Sequence, residues 1–393
     1  MNIIQPSPNN APLALQRRVA GGEVKIIVKG SRMGRIFNFS AGPSILPVEV
    51  LEEASRQLVD YNNTGMSLIE MSHRGKIYDD VHSGAIVLVR EILQVPDDYE
   101  IIFIQGGATL QFGMVPMALL TADSSADFVV TGTWAKKAYQ DARLIGNAQM
   151  IWDGADEKYR RIPSIDELSL HDDAVYVHIC SNETIDGIQW QQLPDTGGIP
   201  LIVDMSSDIM SRPVDWNKVF MLFAGTQKNL APAGMALVIM KKSLVEKARK
   251  DIPAYLRYDL HAKENSLYNT PPTFTVWMTN LTLHWLKGIG GLPEIEKRRD
   301  RKAAMLYDAI DNSGGYYTSP VDKNSRSTMN VVWHMPDEQL ENKFVNDAEK
   351  EGLSGLKGHR SVGGLRASIY NAMPVEGVQT LVEFMHRFME KHG

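Results

Sequence analysis

Two short apolar runs that end in opposite charges constrain this chain more than any other feature. Pro200-Leu-Ile-Val-Asp204 closes on an aspartate, and Val219 to Ala224 leads through Gly225-Thr-Gln to Lys228. Apolar runs of this length, spaced among helical segments, read as strands of a sheet buried on both faces. In open parallel sheets, ligands bind beyond the carboxyl ends of the strands. Asp204 and Lys228 are therefore expected on one rim of one sheet.

The rest of the chain fits that frame. Helical spacing runs from Val48 to Tyr61, just after Pro47, and from Ile77 to Leu93. Glu100–Gln105 reads as a strand that Gly106-Gly107 turns into a helix, Thr109 to Leu120. Further strands are expected at Asp127–Thr131, Ala174–Ile179, Pro200–Met205, Val219–Ala224 and Met235–Met240. Strands alternating with helices predict an α/β fold with a mostly parallel sheet. After Gly290-Gly291 the pattern changes. A charged amphipathic helix (Leu292–Asn312) precedes a strand (Ser327–His334), a helix (Glu338–Glu351), a strand (Gly364–Tyr370) and a last helix (Val375–His392). That order predicts a smaller α+β domain, and a length of 393 residues calls for about two domains.

Composition excludes more than it selects. A net charge of -6 gives no reason to expect nucleic acid. No apolar run approaches the roughly 20 residues that span a bilayer. The single cysteine, Cys180, permits no intramolecular disulfide, which fits a reducing, cytoplasmic location. Residues 1–32 carry Arg17, Arg18, Lys25, Lys29 and Arg32 against Glu23. They read as an N-terminal extension expected to be disordered, with Met33 opening the more convincing sequence; a targeting segment and a docking arm are the other readings.

The chemistry lies at the strand ends. A carboxylate beside Leu201-Ile-Val203 costs several kcal/mol to desolvate unless paired. A lysine amine can form a Schiff base with an aldehyde, and a carboxylate can keep a pyridine nitrogen protonated. Lys228 and Asp204 are thus the pair that pyridoxal phosphate requires. Plainer roles remain open: Asp204 as a cap for the backbone near Ser206 and Ser207, and Lys228 as a side chain reaching solvent. Gly106-Gly-Ala-Thr109 offers glycines and a helix start, which suit a phosphate or an ordinary tight turn. Trp134 could lie against a pyridine ring or simply fill a core. Thr184 could donate to the ring oxygen or cap a turn. His73-Arg74, and His359-Arg360 with Arg366, are glycine-flanked basic clusters suited to phosphate or carboxylate; solvated surface charge is the alternative. Cys180 reads as a small hydrophobe. No metal-ligand spacing is present.

Several longer motifs carry a family resemblance. These are Phe37-Asn-Phe-Ser-Ala-Gly-Pro-Ser44, Met71-Ser-His-Arg-Gly75, Ser181-Asn-Glu-Thr-Ile-Asp-Gly187, Gly225-Thr-Gln-Lys-Asn229, Asn269-Thr-Pro-Pro-Thr273 and the stretch from Gly358-His-Arg to Arg366-Ala-Ser-Ile-Tyr-Asn371. In order, from about Arg35 to the last residue, they resemble the phosphoserine aminotransferases. The resemblance implies a homodimer of the fold-type I, pyridoxal 5′-phosphate-dependent kind, with shared active sites. It implies a large domain (48–290) with a mostly parallel seven-stranded sheet, and a small domain (33–47 with 291–393). It also implies amino transfer between L-glutamate and 3-phosphohydroxypyruvate in serine biosynthesis. Some bacterial members act as well on a phosphorylated hydroxythreonine precursor in pyridoxine biosynthesis. By motif, Lys228 is the Schiff-base lysine and Asp204 the ring-nitrogen partner. Trp134 stacks, Thr184 and Gln227 flank the ring, Ala108 and Thr109 hold the phosphate, and Asn269 and Thr270 reach it from the other subunit. Arg74 and Arg366 match the substrate-anion arginines, beside His73, His359 and Arg360. Another fold-type I aminotransferase acting on a small amino acid is the alternative. A desulfurase would need a late cysteine, and the chain has none.

Overall fold

The computed structural model describes residues 34–393. The expectations for residues 1–32, and Met33 as a start, fall outside the described residues. The centre is a seven-stranded sheet in the order Tyr99–Gln105, Met235–Lys241, Val219–Gly225, Leu201–Asp204, Ala174–Cys180, Ser125–Val130, Asn147–Asp153. Met235–Lys241 runs antiparallel to both its neighbours, and the other pairings are parallel. Six strands therefore share a direction, and their carboxyl ends face one rim.

Both faces of the sheet are covered, which is why its inner strands Leu201–Asp204, Val219–Gly225 and Met235–Lys241 read as apolar runs. On one face Ile101, Phe103, Leu201, Val203 and Leu237 pack with Val50, Val81, Val89, Val276 and Leu283 from the helices Val48–Gln57, Lys76–Leu93 and Thr273–Gly288. On the other, Ile102, Ile104, Phe128, Ile202 and Val238 pack with Phe112, Val115, Ala138 and Ala142 from the helices Gly107–Leu119 and Thr133–Arg143. The alternation of neighbouring residues between the two cores follows from the two-residue period of a strand.

A third core joins Phe37, Phe39 and Ile45 to Leu306, Trp333, Phe344, Leu365, Leu381 and Phe388. Phe37–Asn38 pairs in parallel with Leu353–Ser354, and Asn330–Trp333 pairs antiparallel with Leu365–Ser368. The first helix is shorter than its sequence pattern predicts. It ends at Gln57 rather than Tyr61, and Leu58 and Val59 stand exposed beyond it. Among the described residues no helix is long and apolar enough to cross a membrane.

Candidate active site

Lys228 follows the Val219–Gly225 strand in a turn held by the Thr226 carbonyl, which accepts the Leu230 and Ala231 amides. The turn folds the lysine back over the sheet rim, so its side chain is only 9 % exposed. The ammonium donates to Thr184 Oγ1 at 2.6 Å and stands 5.4 Å from the centroid of the Trp134 ring. Burial pushes the amine below its ordinary value; the charge of Asp204 opposes this, and Arg366 adds to it. An amine so placed is easier to use as a nucleophile.

Asp204 ends the adjacent strand of the sheet, 4 % exposed. Its Oδ1 accepts the Ser206 amide at 2.8 Å and the Ser206 hydroxyl at 2.6 Å. The capping role open in the sequence is therefore real, but it occupies one oxygen. Burial pushes the carboxyl up, while Lys228 and the Ser206 bonds pull it down. Thr184 also donates to Ser207 Oγ at 3.2 Å, and its carbonyl accepts Arg366 Nη1 at 3.3 Å. Arg366 is half-buried, and its Nε has no partner. The Gln227 carbonyl accepts the Ser44 amide at 3.0 Å.

His359 is half-buried beside this group. Its pKa is lowered by burial and by the charges of Arg366, Arg360 and Lys137. Arg360 is exposed. Ala108 and Thr109 lie in the first turn of Gly107–Leu119, a helix with no side-chain cap. Gly106 and Gly107 take positive φ, 99° and 68°, and a Cβ on Gly106 would meet Leu110 at 2.8 Å. This glycine-lined turn with free helical amides fits a phosphate. Trp134, Asp204, Thr184 and Lys228 around one rim fit a planar, cationic ring.

Four residues stand apart. His73 and Arg74 occupy the turn before Lys76–Leu93, with Arg74 exposed and His73 Nε2 buried without a partner. The Thr270 carbonyl accepts Gln105 Nε2 at 2.6 Å, and Asn269 is half-buried beside it. None of the hydrogen bonds of these four reaches Lys228, Asp204 or Thr184. Among the described residues no group of three or more His, Cys, Asp or Glu could hold a metal ion.

The aminotransferase class-V family model matches residues 36–381. A phosphoserine aminotransferase of Lysinibacillus sphaericus is 49% identical over 358 residues, 91% of this chain and 99% of that protein. The chain belongs to the class-V aminotransferases, among the phosphoserine aminotransferases. The structure of the phosphoserine aminotransferase from Bacillus circulans subsp. alkalophilus superposes with a TM-score of 0.90 at 49% identity, over 91% of this chain and 99% of that one. A pyridoxal phosphate-bound phosphoserine aminotransferase from Trichomonas vaginalis gives 0.86 at 39% identity, over 90% and 100%.

Within this class-V fold, some site neighbours escaped the sequence. Ser44 Oγ donates to the Lys228 carbonyl, and Tyr370 Oη donates to the Ala41 carbonyl at 2.7 Å. These bonds lay Ala41–Ser44 along Lys228. Glu183 and Asp186 hold the turn that carries Trp134. Both acids stand in the motif Ser181-Asn-Glu-Thr-Ile-Asp-Gly187, but nothing in its spacing shows that they reach the turn before Trp134.

Proposed function

We propose that the chain is a phosphoserine aminotransferase that exchanges the amino group between L-glutamate and 3-phosphohydroxypyruvate, using pyridoxal 5′-phosphate. The observation that carries this reading is the buried Lys228 amine, 2.6 Å from Thr184 and under the charge of Asp204, in a chain 49% identical to enzymes of that name.

Bound pyridoxal phosphate supplies an aldehyde for the amine and a ring that takes up electrons from the substrate Cα–H bond. Asp204 keeps the proton on the ring nitrogen. Lys228 would bond the aldehyde and, as a free amine, would move the proton at the substrate α-carbon. Thr184 and Gln227 would hold the ring edge, Trp134 would lie against its face and shield it from water, and the Ala108–Thr109 turn would hold the phosphate. Arg366 takes the substrate α-carboxylate in a planar fork. His359 and Arg360 face the distal anion, a carboxylate in glutamate and a phosphate in the other substrate. One pocket serves both substrates in turn, which gives ping-pong kinetics.

His73, Arg74, Asn269 and Thr270 act on this reading in the other subunit of a homodimer. Exposed Met66, Ile69 and Ile77 flank His73-Arg74, and exposed Tyr268 and Phe274 flank Asn269-Thr270. Apolar side chains gathered around polar residues in this way suit a subunit interface. A large domain of residues 48–290, a small domain of 33–47 with 291–393, and a cytoplasmic location complete the proposal.

A coupled assay of the purified protein with glutamate and 3-phosphohydroxypyruvate, pyruvate or oxaloacetate tests the reading. The phosphorylated acid should give the highest kcat/KM. A higher value for pyruvate or oxaloacetate would assign the chain to another amino-group acceptor.

A further inference from the structure

Glu183 and Asp186 have no place in the reaction above, yet both are buried and both point at the start of one helix. Glu183 Oε2 accepts the Trp134 amide at 2.8 Å, and Oε1 accepts the Ala135 amide at 2.8 Å. Asp186 Oδ2 accepts the Thr133 amide at 2.9 Å. A helix cannot satisfy its own first-turn amides. The residue before Thr133–Arg143 is Gly132, which has no side chain to do so. Three successive donors are instead taken by side chains 48 to 53 positions further along the chain. Gly132 makes the approach feasible. A Cβ there would stand 2.6 Å from Glu183 Cγ and Cδ and 2.7 Å from Asp186 Oδ2.

Thr184 lies between the two acids in sequence and accepts the Lys228 ammonium at 2.6 Å. One short segment therefore fixes two things at once: the hydroxyl on the reactive amine, and the helical turn that carries the Trp134 ring 5.4 Å from that amine. The Trp134 indole Nε1 has no partner of its own. Its side chain has no hydrogen bond to hold it, so its place depends on the backbone turn and on packing. Burial and the neighbouring Asp186 push the Glu183 carboxyl up, while the helix amides oppose them.

We propose that Glu183 and Asp186 are positioning residues for Trp134, setting the height and tilt of its ring over the Lys228 amine and hence over the cofactor. This rests on the pyridoxal phosphate reading above. The clamp acts through the backbone of the first helical turn, so it needs acceptors of the right shape at two points.

Glu183→Ala, Glu183→Gln and Asp186→Asn, each prepared with and without cofactor, test it, with Trp134→Phe as the fluorescence reference. Glu183→Ala should weaken pyridoxal phosphate binding roughly tenfold, the factor that corresponds to losing an aromatic contact. It should lower kcat while the KM for glutamate changes little. The Trp134 emission of the cofactor-free protein, taken as the difference from Trp134→Phe, should shift. Glu183→Gln keeps the shape and one acceptor, so it should recover part of each effect, and Asp186→Asn should give a smaller loss. The proposal is overturned if Glu183→Ala lowers only the melting temperature and leaves cofactor affinity, kcat and Trp134 emission at wild-type values. Should Glu183→Ala not fold, wild-type readings in both Glu183→Gln and Asp186→Asn overturn it equally. A wild-type protein that binds no pyridoxal phosphate would sink the functional reading instead; the cofactor-free emission would still decide the clamp.

Discussion

Lys302 Nζ donates to the Tyr370 carbonyl at 2.6 Å from the middle of the helix Gly291–Asp311. The same ammonium donates to the carbonyls of Ile369, at 2.8 Å, and Met373, at 3.0 Å. It is fully buried and ties that helix to the chain leaving Leu365–Ser368, the strand that carries Arg366. Burial, with Arg298 adding to it, pushes the amine down to about 7.

Lys302→Met should therefore destabilise the protein by roughly 1–3 kcal/mol, the cost of leaving buried carbonyls without donors. The sign of its pH dependence follows from linkage. Between about pH 7 and the ordinary lysine value near 10.4, the unfolded chain binds a proton that the native state does not. Native stability from this group rises with pH across that window and is lost as pH falls through about 7. The difference in denaturation midpoint between wild type and variant should grow from neutral to alkaline pH. A constant difference would show that Lys302 stays charged throughout.

His178→Phe should stabilise the protein. The imidazole is buried between Phe128 and Phe223, with ring centroids 5.1 and 6.1 Å away, and neither nitrogen has a partner. Removing an unsatisfied polar ring should gain about 1–2 kcal/mol. Burial lowers this histidine from 6.5 to about 3, so its contribution is lost as pH falls through that interval. The gain should widen in mild acid, as thermal melts at neutral and acid pH would register.

Asp204→Asn keeps the shape of the site and removes its charge. Cofactor binding should survive better than turnover, with kcat falling by roughly two orders of magnitude or more. A near-normal kcat would mean that another group holds the ring nitrogen.

Arg74→Ala should weaken both half-reactions. Mixed dimers of Arg74→Ala and Lys228→Ala chains should regain activity, because one site then carries both defects and the other neither. Purified mixed dimers with no more activity than either parent would place Arg74 in its own subunit.

Much of this architecture was legible as periodicity. The strands at Tyr99–Gln105, Ala174–Cys180 and Val219–Gly225 fall within one residue of their sequence patterns, because burial on both faces leaves them uniformly apolar. The helix Val375–His392 matches its pattern at both ends. Other elements gave no such signal. Asn147–Asp153 is an edge strand whose side chains are mostly half-exposed, so its alternation is weak. Thr273–Gly288 is rich in threonine and tryptophan and buried on several sides, which erases a helical stripe. Thr133–Arg143 is capped by distant acids rather than by its own preceding residue, so no local start signal exists. In the site, Lys228, Asp204 and Thr184 could be read from strand ends. The nearness of Ala41–Ser44 to Lys228 depends on contacts across more than 180 positions, and no local pattern encodes it.

Borohydride reduction of the cofactor-loaded protein, followed by peptide mass mapping, tests the central claim most directly. The account predicts the pyridoxyl mass on the peptide containing Lys228, its loss in Lys228→Ala, and no steady-state amino transfer by that variant. A label on another lysine, or sustained turnover by Lys228→Ala, would contradict it.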